Sequence, residues 1–171
     1  MRRLFLFVGR SGSGKTTVAD GLCANGHLHT AVSMTTRPPR YEGERGYNFV
    51  TEEELLKHKV LTHAVFDGNH YGVSEEELDN SDIFIVEPSS IHAVQHHYAG
   101  KRVVKVIYFD LDPLEAAKRM RARGDAEAKI KRRLWNDANT FHHIPYGATI
   151  VSANRPVREI VKDLQKIIYN R

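Results

Sequence analysis

Nine residues near the start, Gly9 to Thr17, read GRSGSGKTT and restrict the fold of this chain more than any other stretch. They satisfy G-x-x-x-x-G-K-[S/T] through Gly9, Gly14, Lys15 and Thr16, a glycine loop whose backbone N–H groups turn inward around a phosphate. The flanks agree. The apolar run Arg3 to Val8 reads as a short buried strand, and from Lys15 the positions Val18, Leu22 and Cys23 share one helical face up to Gly26, a terminator. Strand, loop and helix in that order put a helix N-terminus behind the phosphate. Gly9, Gly12, Ser13, Gly14, Lys15, Thr16 and Thr17 are therefore the candidate residues for a nucleoside triphosphate. Lys15 would reach its β- and γ-phosphates, and the Thr16 hydroxyl would bind Mg²⁺. Without nucleotide, Lys15 is expected to face solvent.

Three further apolar runs, Ile83 to Val86, Val103 to Phe109 and Ala148 to Val151, are separated by helical patterns and imply a parallel sheet with helices on both faces. Asp112, Pro113 and Glu115 mark a helix start in which the aspartate caps, the proline takes the first turn and the glutamate reaches back to the cap. Ile130, Leu134, Ala138 and Phe141 form one apolar stripe, and Val157, Ile160, Val161, Leu164 and Ile168 another. Between Ser33 and about Asn80 the character changes to tyrosines, prolines, glycines and short alternating runs, Tyr47 to Val50 and Thr62 to Phe66. This reads as an inserted lobe with a small antiparallel sheet.

The 171 residues fit one domain, against roughly 150 for a typical one, and 41% hydrophobic residues supply a core without disulfides. The longest early apolar run is too short to span a bilayer, and the single Cys23 suits a reducing compartment, so a cytoplasmic location is expected, with no membrane partner. Cys23 itself reads as a small packing residue. Of the 25 basic residues, 8 fall between Lys118 and Arg133, against 2 acidic ones. Without an aromatic-interleaved sheet motif this cationic run suits phosphate groups better than nucleic acid. Adjacent histidines, His96 with His97 and His142 with His143, lack the i, i+4 spacing of a zinc helix, so no metal site is assigned to them. Trp135 and Phe141 read as packing groups.

A glycine loop, an inserted lobe and a mobile cationic lid are what a small kinase needs. The stretch SMTTRPPRYEGERGYNFV from Ser33 to Val50 makes the comparison specific, with GNHYG at Gly68 to Gly72, RARG at Arg121 to Gly124 and KRRL at Lys131 to Leu134. In this order and over most of its length the chain resembles a guanylate kinase. Arg37 and Arg40 beside Ser33 and Tyr47 also form, as residue types, a suitable cradle for a monophosphate dianion. The resemblance implies a single domain over 1–171, with a P-loop core at 1–32 and 82–171, an acceptor lobe at 33–81 and a lid at about 119–133. It implies that Ser33, Arg37, Arg40, Tyr47 and Tyr71 hold the acceptor phosphate and that Arg119, Arg123 and Arg133 contact phosphates from the lid, with Arg121 on the exposed face. ATP with Mg²⁺ would phosphorylate a small nucleoside monophosphate, GMP or dGMP, in a monomer or homodimer.

The departures lie in base reading. Where the family carries a glutamate seven residues before the asparagine of GNxYG, this chain has Thr62; the hydroxyl that follows GNxYG is replaced by Val73. Two family aspartates align with Ile85 and Glu87, leaving one acid to serve the acceptor or, through water, Mg²⁺, and the segment Ser74 to Ser81 is short. Two alternatives therefore stand beside the kinase of GMP: a kinase of the same fold for another phosphorylated metabolite, such as ribose 1,5-bisphosphate, and an inactive module that binds phosphopeptides. Intact Lys15 and Thr16 weigh against the second.

Overall fold

The computed structural model describes residues 2–39, 42–44, 46–66 and 68–169. Its central sheet is all parallel, in the order β6 (Ile83–Ile85), β1 (Arg3–Gly9), β7 (Val103–Asp110), β8 (Thr149–Ser152). The four strands fall on the four apolar runs, with Val86 and Ala148 just outside their ends. Such strands read as continuous apolar runs because both faces are covered, and the period of two assigns the faces. Phe5, Phe7, Ile107 and Phe109 pack with α1 (Lys15–Cys23), α5 (Pro113–Ala122), α6 (Glu127–Thr140) and α7 (Val157–Tyr169). Leu4, Leu6, Val106 and Tyr108 pack on the other side with α4 (Pro88–His97), Leu78 and Val73. On α7, Ile160 and Leu164 are fully buried, each adding roughly 1.5–3 kcal/mol of apolar burial.

The Asp112 cap forms as expected, accepting the Leu114 and Glu115 N–H groups at 2.8 and 3.3 Å, with Pro113 in the first turn. Glu115 does not return to the cap. Its carboxylate accepts Arg119 Nε at 3.1 Å, one turn on, where a full charge is the stronger partner. The α6 stripe is also displaced: Ile130 and Phe141 are buried, but Ala138 is exposed and its neighbour Asp137 is turned inward.

The second sheet runs β3 (Tyr47–Phe49), β2 (Ser33–Thr35), β5 (Asn69–Ser74), β4 (Val60–Phe66). Its β2/β5 and β5/β4 pairs are antiparallel, but β3 lies parallel to β2, with Ser33 opposite Tyr47, so the sheet is mixed. A parallel neighbour needs a connection that crosses over instead of a tight hairpin, and the segment between Thr35 and Tyr47, with Pro38 and Pro39, supplies it. Two short helices join the strands, α2 (Glu52–Lys57) from a Thr51–Glu54 capping box and α3 (Glu75–Asp79) capped by Ser74. Gly72 lets β4 close over β5, since a Cβ there would lie 2.9 Å from Val60 Cγ1.

The chain leaves and re-enters the parallel sheet at one place. Thr30 bridges Ile83, Ala31 N–H donates to Ile83 O at 2.7 Å, and Asp82 N–H donates to His29 O at 2.8 Å. Arg102, nearly buried before β7, donates to Leu78 O, Ser81 O and Arg3 O at 2.7 to 2.8 Å and so ties this junction to β1. No helix of the described residues is long and apolar enough to cross a membrane.

Candidate active site

The glycine loop leaves β1 at Gly9, which sits so close to β7 that a Cβ would lie 2.6 Å from Phe109 O. Gly12 and Gly14 take φ values of +77° and +82°, and Gly14 opens α1. A side chain at either would be strained, which is the physical content of the motif. Lys15 is not solvent-facing. Its Nζ folds back and donates to Gly9 O, Arg10 O and Ser13 Oγ at 2.5, 3.0 and 3.2 Å, giving the loop's own carbonyls a cation. Burial lowers its pKa to about 8, with the charges of Glu87 and Asp137 opposing the drop.

Two cavities meet at this loop. One, of about 490 Å³, has Gly12 to Thr17 on one wall and Arg119, Arg123, Arg155 and Pro156 on the other. Thr16 and Thr17 are exposed to it, while Ser13 is buried in the loop. Arg119 is fixed by Glu115, by Ala153 O at 2.8 Å and by Gly12 O at 3.4 Å, and so joins α5 to the glycine loop. Arg123 pairs with Asp125, whose carboxyl is held below its usual range chiefly by that hydrogen bond, with Arg133 and Lys129 adding to it. Arg121 turns to Glu127 instead, as a surface residue does.

The other cavity, of about 200 Å³, gathers Ser33, Thr62, Tyr71, Glu87, Arg133 and Asp137, together with Ser11 of the loop. Arg133, grouped in the sequence with the other lid arginines, therefore faces a different cavity from Arg119 and Arg123. Glu87 stays open to solvent, yet the wall behind it desolvates the carboxyl and pushes its pKa up, with Lys15 opposing. Asp137 is 7% exposed and accepts from Ser11 N–H at 2.9 Å and Ser11 Oγ at 3.4 Å. Burial pushes its carboxyl up as well, against the Ser11 N–H and the charge of Lys15.

Beside this cavity, Arg37 donates to both oxygens of Glu44 and to Pro38 O at 2.8 Å, and lies over the rings of Tyr47 and Phe49 at 5.4 and 5.3 Å. Tyr47 meets Tyr71 edge-on at 5.9 Å, so Arg37 is linked to the cavity through the two tyrosines. Arg40 lies outside the described residues. Thr62 is buried in the cavity wall, and Val73, opposite it in register, is fully buried in the core. Among the described residues no group of three or more histidine, cysteine, aspartate or glutamate side chains could hold a metal ion. Mg²⁺ at a triphosphate needs fewer protein ligands, and the Thr16 hydroxyl and Glu87 carboxylate are oxygen donors suited to it.

Ser11, Ser90, Asp137 and Arg155 line these cavities without having been singled out from the sequence. For Asp137 a signal existed: an acid three residues after Leu134, on the edge of an apolar stripe, asks for a buried partner.

The family model described as Guanylate kinase matches residues 1–171. A guanylate kinase of Neisseria meningitidis serogroup A is 35% identical, covering 96% of this chain and 86% of that protein. One from Mycoplasma mycoides is 35% identical over 77% of this chain, a match spanning only about half, 49%, of that relative's length. Among solved structures, guanylate kinase from Anaplasma phagocytophilum has a TM-score of 0.71 at 24% identity, covering 98% of this chain and 84% of that one. A gluconokinase from Sinorhizobium meliloti, with a TM-score of 0.56 at 17% identity over 99% and 97%, shares the fold.

Proposed function

This chain belongs to the guanylate kinase family, and on that footing we propose that its two cavities are the donor and acceptor sites of an enzyme that phosphorylates GMP with ATP, giving GDP and ADP. The observation that carries the reading is the meeting of a cavity rich in cations, Lys15, Arg119 and Arg123, with a second cavity at the same glycine loop. A metabolite kinase for ribose 1,5-bisphosphate and an inactive phosphopeptide module find no support among the relatives.

An oxygen of the GMP phosphate attacks the γ-phosphorus of ATP as the bond to the β,γ-bridging oxygen breaks. That phosphate is largely ionised at neutral pH, so no protein base is needed, and charge spread over the transferred oxygens is what the site must hold. Lys15, Arg119, Arg123 and the loop N–H groups do so from the donor side, and Arg133 does so from the acceptor side. Thr16, with Glu87 as a further oxygen donor through water, would hold Mg²⁺, which would supply positive charge for the triphosphate. Lys15 must leave its three loop contacts, and Arg123 must exchange Asp125 for phosphate, as the lid closes and excludes water.

In this reading residues 33–81 form the acceptor lobe. Ser33, Arg37, Arg40, Tyr47 and Tyr71 hold the GMP phosphate, Thr62 faces the base, and Glu87 serves the acceptor or, through water, Mg²⁺. The enzyme works as a monomer or homodimer in the cytoplasm, independent of nucleic acid and membrane. ADP formation with ATP and Mg²⁺, measured with GMP, dGMP, AMP and ribose 1,5-bisphosphate in turn, tests it. GMP is expected to be turned over; turnover of the phosphorylated sugar with none of GMP would overturn the assignment.

A further inference from the structure

Two ties join the glycine loop to the end of α6. Asp137 takes the Ser11 N–H at 2.9 Å and its hydroxyl at 3.4 Å, and Arg10 Nη2 donates to O of Phe141, which ends the helix, at 3.4 Å. Asp137 is 7% exposed, and a buried carboxylate without such donors is strongly disfavoured, so its place is fixed by this pairing. One turn earlier on α6 stands Arg133, and both side chains line the acceptor cavity. The opposite end of the helix begins just beyond Asp125, the lid residue that holds Arg123. The helix is thus a lever pinned to the loop at one end and carrying the lid at the other.

We infer that Asp137 is a positioning residue for phosphoryl transfer: by pinning Ser11 to α6 it sets how far Arg133 stands from the phosphate held in the glycine loop. Ser11 is the loop residue that lines the acceptor cavity, while Gly12 to Thr17 line the donor cavity. The pin therefore sits where donor and acceptor phosphates meet. An error of an ångström there costs about 10²-fold in rate. The inference rests on the kinase reading above.

A double-mutant cycle tests it. Asp137→Ala should lower kcat for GMP by ~10- to 100-fold and leave KM for ATP and GMP within about threefold, the signature of a contact realised in the transition state. Asp137→Asn keeps an acceptor oxygen for the Ser11 N–H and should recover much of the loss. If Asp137 acts through Arg133, then Arg133→Ala, costly in the wild type, should cost less than about threefold more in the Asp137→Ala background. Multiplying losses, or a kcat within about twofold of wild type in Asp137→Ala, overturns the inference, as does a loss confined to KM for GMP. The same cycle with Asp137→Leu, which removes the acceptor oxygens while filling the space, decides the matter if the alanine variant does not fold. Amide exchange at Ser11 and Gly12, followed by mass spectrometry without substrates, reads the pin apart from turnover. It should quicken at least about tenfold in Asp137→Ala, and unchanged exchange refutes the pin even if the wild type turns over no GMP.

Discussion

Arg37 and Glu44 are locked in a two-point ion pair, Nη2 to Oε1 at 2.9 Å and Nη1 to Oε2 at 3.2 Å, with the Glu44 side chain only 5% exposed. The guanidinium is thereby held against Tyr47 and Phe49 before any acceptor arrives. Arg37→Ala should weaken GMP by roughly 10- to 150-fold, the loss of one charge-assisted bond of ~1.5–3 kcal/mol, and leave ATP affinity unchanged. It should also lower the melting temperature, because the buried Glu44 carboxylate loses its two-point pairing with Arg37. Arg40→Ala should affect GMP alike. Titration calorimetry with each ligand checks both, and a fall in ATP affinity alone would mean that the two sites are exchanged.

Lys15 makes the donor site pH-sensitive. Its pKa of about 8 lies below the ordinary 10.5, so the free enzyme loses this charge first. kcat/KM for ATP should fall tenfold per unit above about pH 8, while kcat, read with phosphates bound, holds to higher pH. Since the unfolded chain keeps the proton to pH 10.5, stability should rise between about pH 8 and 10.5. Lys15→Ala should abolish turnover and the pH limb together. A rate profile from pH 6 to 10 that stays flat in kcat/KM contradicts the arrangement.

Thr62 offers one short hydroxyl where a carboxylate could accept the ring N–H and exocyclic amine of guanine together. GMP should therefore be preferred over AMP less sharply than hydrogen-bonded reading allows, and Thr62→Glu should widen the ratio. If the wild type already favours GMP by ~10⁴ in kcat/KM, base reading has been rebuilt elsewhere.

Asp125 pairs with Arg123, and on the proposed reading it holds the guanidinium that phosphate would take. Asp125→Asn removes that competitor and should tighten ATP by about two- to fivefold, the scale of an exposed ion pair. An unchanged or weaker Kd for ATP would show that the pair helps to preform the lid.

Much of this was legible in the sequence because its signals are local. The loop from Gly9 to Thr17, the apolar runs of the parallel sheet and the Asp112 cap each need only neighbouring residues to be read. The parallel pairing of β3 with β2 is set by contacts across the sheet, which no short pattern reports. The α2 helix had its signal, Thr51 with Glu54, but is too short to show a period. Lys15 was misplaced because two of its three contacts are backbone carbonyls, which carry no letter in the sequence. Asp137 escaped because burial of an acid depends on a partner more than a hundred residues away, Ser11.

The stitching of His29, Thr30 and Ala31 to Asp82 and Ile83 bears on how this chain can vary. With its ends joined there and Arg102 fastening the exit, the excursion between them is to the parallel sheet a closed loop. Closure entropy grows so slowly that doubling such a loop costs only ~0.6 kcal/mol. Residues gained or lost in its exposed turns, away from Val73 and Leu78, which pack on the parallel sheet, leave the core nearly untouched. On the proposed reading, the lobe that takes the acceptor can vary in the length of its turns at almost constant stability of the part that takes the triphosphate.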